Sequence, residues 1–574
     1  MKATKLLPVL LAFLTGSAAG VAAAPLVAAP SPPFVVEEQA TIFFGGKILL
    51  NDSRGTASPA LLERGGKVVA VGTRADLEAM PEAKGAALVD LRGGVAVPGL
   101  QDAHGHLASY GASLTDVDLR GCASFEQVVD RVAARAATEK ENVWIVGRGW
   151  DQNLWADKAL PHHEMLSRRT PRNPVFLTRV DGHAGIANRL ALTAAKLDHE
   201  YGAEPKMQGG RLLLDADKRP SGVLLDDAMD IVRKTIPPPT RRQIEARILA
   251  AEEKLLAFGL TCIHDMGTTR EELDVLKELR VRSRLRLRIV SYIAGNGDLP
   301  PEALEDLPLP PDANDQLACP GMKLVADGAL GSRGAALLTD YSDAPGERGY
   351  LILDVKQLST KIALCQAKGL QPAVHAIGDR ANRTVLDVYE TLLTVHPEAR
   401  ALRPRIEHAQ VVSLKDWPRF PALGVIPSMQ PVHAVSDMPW AVERLGKERA
   451  RGAYAWRGLA PQLRALAFGS DFPVESPDPL AGLYAARTRS TPSDDADSSL
   501  FPDQSLDGAS ALEGFTIGAA YACHQEDRRG RLLPGYGCDM TVLTVDPVRC
   551  DPAQLLGAKA TMTIVNGEVV WRAK

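Results

Sequence analysis

The sequence predicts an α/β protein built on a (β/α)8 TIM-type barrel. A small composite β-sandwich domain drawn from both chain ends and a subdomain inserted after the first barrel strand complete it. Three observations predict this. Eight short apolar runs alternate with helix-like stretches, the pattern of a parallel sheet. Residue types able to bind metal stand at the ends of several of those runs, where barrels carry their catalytic groups. Turn-rich strand patterns flank the alternating region on both sides.

Size and composition agree with a large globular chain. Its 574 residues exceed one ordinary domain, and 45% hydrophobic with 24% charged residues are typical values. A formal net charge of −4 suggests neither a nucleic-acid nor an anionic-membrane partner, and 5% aromatics weakens base stacking further. The partner expected is a small-molecule substrate. A homodimer stays open.

Residues 1–24 read as a secretory signal peptide. Lys2 and Lys5 open it, an apolar run spans 6–14, and small residues fill 16–24. The run is short for a bilayer span, so an exported, periplasmic protein with no stable membrane span after cleavage is expected, against the alternative of an uncleaved anchor. Pro30, Pro32 and Pro33 form an unstructured lead-in. The seven cysteines are scattered and include no CxxC, which excludes a thiolate zinc site and a disulfide framework; one isolated disulfide stays open.

The elements follow in order. Residues 36–97 together with 530–574 are expected to form the composite β domain: an apolar stretch over 40–50 with a Gly45-Gly46 turn, a short run at 67–71, a strand at 540–545 and a hairpin over 560–571 about Asn566-Gly567. The catalytic barrel takes 98–110 and 241–529. Its eight strands are expected at 95–106, 260–266, 285–293, 322–327, 372–377, 405–410, 425–430 and 466–471. Helices over 242–258 and 357–368 precede two of them. An open doubly wound sheet is the alternative, but no Gly-rich phosphate fingerprint opens the first unit. The connection over 111–240 is far longer than one βα loop, so it is an inserted subdomain over the active site.

The chemistry gathers at the strand ends. His104 and His106 close the first strand two positions apart, so both imidazoles face one side. His375, His408 and Asp471 close three later strands. One buried histidine is commonly structural; four with a carboxylate at one end of one barrel point to a metal centre, and nitrogen and oxygen donors without thiolates suit zinc ahead of Mn, Fe or Ni. Lys323 interrupts a strand expected to be buried. It either reaches solvent or Asp327, or loses its proton in the interior and adds carbon dioxide to become a bridging carbamate.

Asp-Ala-His-Gly-His at 102–106, Met-Lys-Leu-Val-Ala-Asp-Gly at 322–328, His-Ala-Ile-Gly-Asp at 375–379, Arg-Ile-Glu-His-Ala at 405–409 and Gly-Ser-Asp-Phe-Pro at 469–473 resemble the metal-dependent amidohydrolase superfamily. The branch they resemble is amidohydrolase family 3, which includes N-substituted formamide deformylases. The closing segment 530–543 resembles the family's end, with Cys538 where Ala is usual. The resemblance implies two divalent ions, with Zn2+ favoured. His104 and His106 would hold the buried ion, His375 and His408 the outer one, and carboxylated Lys323 the bridge. Asp471 would touch the buried ion and carry the proton. It also implies cleavage of a non-peptide C–N bond in an amide, N-substituted formamide or cyclic amide by metal-activated hydroxide.

Trp150, Asp151 and His183 in the insertion resemble family segments and are candidate substrate contacts, as is Arg333 for an anionic group. His433 is a weaker candidate, and His264 is left structural with a supporting role open. Two readings compete: an esterase, phosphotriesterase or deaminase using the same metals, and an exported metal-dependent binding protein without turnover. Asp471 argues against the latter, because binding needs no proton shuttle.

Overall fold

The computed structural model describes residues 39–574 except 53, 181, 183, 202–204, 206–209, 227, 298, 313, 461–465 and 493–500. The expected signal segment and lead-in therefore lie outside the described residues.

Eight parallel strands form the barrel sheet: Leu100–Gly105, Leu260–Thr268, Arg288–Ala294, Leu317–Val325, Gln371–Ala376, Arg405–His408, Ile426–Met429 and Ala467–Phe468. They pair in chain order. The eighth meets the first just beyond its end, where Asp471 N–H donates to the His104 carbonyl at 2.7 Å and His106 N–H to the Phe472 carbonyl at 2.8 Å. Helices pack outside through buried Leu and Ile stripes, such as Ile244, Ile248 and Leu255 of Arg241–Ala257. That helix opens with a capping box between Thr240 and Gln243, satisfying backbone donors at its first turn. Val355–Lys368 is capped by Asp354 and stopped by Gly369 in the left-handed conformation.

Several expected elements differ. The strand expected over 322–327 is Leu317–Val325, and that expected over 466–471 is Ala467–Phe468, which leaves Asp471 beyond its end. The strand expected over 95–106 is two strands. Val95–Pro98 pairs with Met540–Leu543 in the small domain, and Leu100–Gly105 enters the barrel. Gly99 is the junction: a Cβ there would lie 2.2 Å from the Thr261 hydroxyl, so only glycine lets the chain change sheets. The expected turn at Gly45-Gly46 is instead a bulge inside one strand, Thr41–Leu49. Gly45 takes φ +75°, which bends the strand without ending it.

The small domain is one hydrogen-bonded sheet of eight strands from both chain ends. Phe43, Leu61 and Val68 from the N-terminal strands share a core with Met540, Val542 and Ile564 from the C-terminal ones. Both chain ends thus share one apolar core on a single sheet. A buried ion pair ties it to the third barrel strand, Arg288 Nε to Asp539 Oδ2 at 2.6 Å. The insertion carries its own six-stranded sheet, in the order Gly210–Leu214, Pro220–Asp226, Ala184–Ala187, Val175–Arg179, Ile145–Trp150 and Val117–Asp118. All seven cysteines are free thiols.

Candidate metal centre and active site

His104, His106, Lys323, His375, His408 and Asp471 lie at the C-terminal mouth of the barrel, each on or just after a strand. Strand alternation turns His104 inward, where its side chain is fully buried. Its Nδ1 lies 2.6 Å from Glu407 Oε2. With that nitrogen donating to the carboxylate, Nε2 keeps its lone pair, and the Lys323 amine donates to it at 3.1 Å. Lys323 therefore turns into the histidine cluster, away from solvent. Asp327, the other partner expected for it, accepts instead from the backbone N–H groups of Ala336, Ile377 and Gly378.

Asp471 sits between two imidazoles. Its Oδ1 accepts from His106 Nε2 at 3.1 Å and lies 3.6 Å from His104 Nε2. The ring of His408 lies 4.7 Å from that of His104 and 4.5 Å from that of His375. His408 Nδ1 donates to Gln430 Oε1 at 2.7 Å, which leaves Nε2 for the cluster. His408 and Asp471 both have positive φ, 70° and 62°. Left-handed backbone costs a non-glycine residue about 1–2 kcal/mol, and here it aims side chains into the mouth.

Electrostatics keep His104, His375 and His408 neutral, the form that binds metal. Burial, then the Lys323 charge, pushes His104 down to about 4 and His375 to about 3. Burial also holds His408 well below its usual range. Burial lowers Lys323 to about 8, which gives it a useful neutral fraction near neutral pH. For Asp471 burial acts upward, but the hydrogen bond from His106 and the nearby imidazoles outweigh it and hold the carboxylate ionised.

A supporting shell lies beneath. Arg405 is fully buried and grips Glu407 through Nε at 2.7 Å and Nη2 at 3.1 Å. The same guanidinium reaches the His264 ring, the Tyr292 hydroxyl and the Ala103 carbonyl. Asp102 accepts from His104 N–H and from the Ser470 hydroxyl, so it holds the backbone on both sides of the barrel seam. Burial raises Asp102 to about 7. Glu407, Arg405, Asp102 and Gln430 were not singled out from the sequence. The available signal was a charged pair, Arg405 and Glu407, inside a strand that must be buried.

The candidate substrate contacts fare differently. Trp150 is fully buried in the core of the insertion, stacked on Trp155 and donating its indole N–H to the Leu177 carbonyl. No face of it is left for a substrate. Asp151 caps the short helix Gln152–Leu154 by accepting from Asn153 N–H at 2.9 Å. The Arg333 guanidinium is taken by Asp343 at 2.8 Å, so it is not a free anion anchor. His183 lies outside the described residues. His433 comes nearer than expected, with Nε2 3.8 Å from Asp471 Oδ2.

Comparison with known proteins places this arrangement. YtcJ of Bacillus subtilis, named as an amidohydrolase, is 30% identical over 92% of this chain and 99% of its own. An N-substituted formamide deformylase of Arthrobacter pascens is 25% identical over 90% of this chain and 95% of its own. An uncharacterised metal-dependent hydrolase of Pyrococcus horikoshii superposes with a TM-score of 0.76 at 29% identity, covering 90% of this chain and 99% of its own. The pattern of an amidohydrolase family matches residues 87–571. A match over that span, together with the YtcJ relative, shows that the chain belongs to the amidohydrolase family.

Proposed function

We propose that this hydrolase uses divalent metal, zinc by preference, to cleave a non-peptide carbon–nitrogen bond in a small amide, N-substituted formamide or cyclic amide. The convergence of four imidazoles, one carboxylate and one lysine carries the reading. Two features fit metal. The donor set is nitrogen and oxygen without thiolate. Among the described residues the buried His375 Nε2 has no hydrogen-bond partner, with Asp327 Oδ1 3.5 Å away, although burying an unpaired polar atom is costly.

His104 and His106 would hold one ion and His375 and His408 the other, with Asp471 touching the first. Lys323 would bridge as a carbamate: its neutral amine attacks carbon dioxide, forming an N–C bond, and the resulting carbamic acid releases one proton. When bound, the ions supply Lewis acidity and lower the pKa of water towards about 7.

The remaining chemistry falls to this chain's residues. Water adds to the carbonyl carbon and its proton passes to Asp471 Oδ. Asp471 returns that proton to the nitrogen as the C–N bond breaks, leaving a carboxylic acid and an amine. The deformylase relative supports the C–N preference. We further propose that the chain is exported to the periplasm on its basic and apolar N-terminus.

The test is a panel of amides, formamides, cyclic amides, esters and phosphotriesters presented to chelated and then zinc-reloaded protein. Zinc-dependent amide or formamide hydrolysis is expected. Turnover confined to esters or phosphotriesters, or turnover indifferent to chelation, overturns the reading.

A further inference from the structure

One buried nitrogen at the mouth has no part in the reaction above. His433 stands in the helix Pro431–Ser436, directly after the seventh barrel strand. Among the described residues its Nε2 has no hydrogen-bond partner, and its side chain is only 12% exposed. The ring lies almost parallel to that of His408, at 16° and 6.1 Å.

Asp471 is thus flanked by imidazoles at both oxygens, with His104 and His106 at Oδ1 and His433 at Oδ2. His106 reaches Oδ1 at 3.1 Å, a hydrogen bond; His433 stops 3.8 Å from Oδ2, which is not one. The Nε2 of His433 is therefore left to donate to a bound substrate rather than to Asp471.

The main chain at His433 is fixed by its neighbours. Its N–H donates to the Gln430 carbonyl, and its carbonyl accepts from Asp437 N–H at 2.9 Å. The nearby Asp437 carboxylate is occupied by the Tyr454 hydroxyl at 2.6 Å and the Gln410 amide at 2.9 Å. A desolvated N–H that no described side chain engages is the kind of donor that stabilises a developing oxyanion.

We infer that His433 contacts the substrate, its Nε2–H donating to the scissile carbonyl oxygen and to the oxyanion that oxygen becomes. This rests on the carbonyl-hydrolysis reading above. As water adds, the carbon–oxygen π pair moves onto that oxygen and the water proton goes to Asp471. His433 keeps its own proton throughout. The competing role is a metal ligand, since His408, His433 and Asp471 place one ligand atom each within 4.8 Å of one another.

The experiment compares wild type, His433→Leu and His433→Gln, all zinc-loaded. It measures zinc per chain, kcat and KM on a panel substrate, and binding of a phosphonate mimic of the tetrahedral state against a planar amide. His433→Leu is expected to keep its zinc and nearly its KM, while kcat falls about 10²–10³-fold and the phosphonate weakens more than the amide. His433→Gln keeps a donor and should recover part of the loss. Loss of an ion in the Leu variant makes His433 a ligand and overturns the inference. So does a Leu variant with unchanged kcat and phosphonate binding beside an active wild type. A wild type that turns over no carbonyl compound overturns the functional reading itself.

Discussion

His104 Nδ1 and Glu407 Oε2 lie 2.6 Å apart, and both side chains are fully buried. Glu407 is charged in spite of burial, which acts to raise it, because the Arg405 guanidinium holds it well below the usual carboxylate range. The pair fixes the His104 tautomer and makes Nε2 a better electron donor. Glu407→Gln should therefore weaken zinc binding about 10–100-fold, read by competition with a chromophoric chelator. Wild-type affinity in that variant would show that the contact only packs.

Asp471→Asn keeps the side chain's shape and one oxygen but removes its basic site. The variant should fold and retain most of its metal, with turnover lower by about 10²–10⁴-fold. Metal content, melting temperature and turnover measured on one preparation check it. Near-normal turnover with full metal would remove Asp471 from the proton path.

Lys323→Ala removes both the amine beside His104 and any carbamate formed on it. Turnover should be lost, and acetate or formate should restore part of it by entering the bridging position. In wild type, 13C-labelled bicarbonate should give a protein-bound carbamate signal. Its absence from active, metal-loaded enzyme would exclude the carbamate.

Much of this site was legible in the sequence because the candidate ligands stand at strand ends, which local spacing fixes. His104 and His106 stand two apart on one strand, and His375, His408 and Asp471 each end an apolar run. The eight strands were legible for the same reason, although 95–106 hid a change of sheet at Gly99 that depends on Thr261 across the fold. Contacts made by long-range packing were not legible. Trp150 looked like a pocket residue and is core; Arg333 looked free and is spent on Asp343. Gln430 joined the site only through its contact with His408.

Trp150 gives a stability prediction that separates the insertion from the metal centre. Trp150→Ala empties a fully buried site and drops an indole hydrogen bond to Leu177. The insertion should lose about 3–5 kcal/mol. Hydrogen exchange should rise over residues 117–226, while the zinc content of the folded protein stays constant. A reduced zinc stoichiometry would show that Trp150 supports the metal centre after all.

Arg288 and Asp539 set an acid limit. Burial acts to raise Asp539, but the Arg288 guanidinium wins and holds it below the usual carboxylate range. A carboxyl with a depressed folded-state pKa stabilises the fold fully above its unfolded value of about 3.9, and that stability disappears as pH falls through the folded value. Asp539→Ala leaves Arg288 buried without its carboxylate and should cost about 3–5 kcal/mol at neutral pH. The difference between wild type and variant should narrow below about pH 4 in urea titrations. A constant difference across that range would show that the pair does not carry the acid sensitivity.

The seam of the barrel is also the centre of its chemistry. The backbone hydrogen bonds that join the first strand to the eighth are made by His104, His106, Asp471 and Phe472. His106 and Asp471 stand 365 positions apart in the chain. A growing or truncated chain that stops short of Asp471 can carry the other five candidate donors, yet it lacks the residue that closes both the donor set and the seam. Binding of a full metal complement would therefore report that the ring has shut.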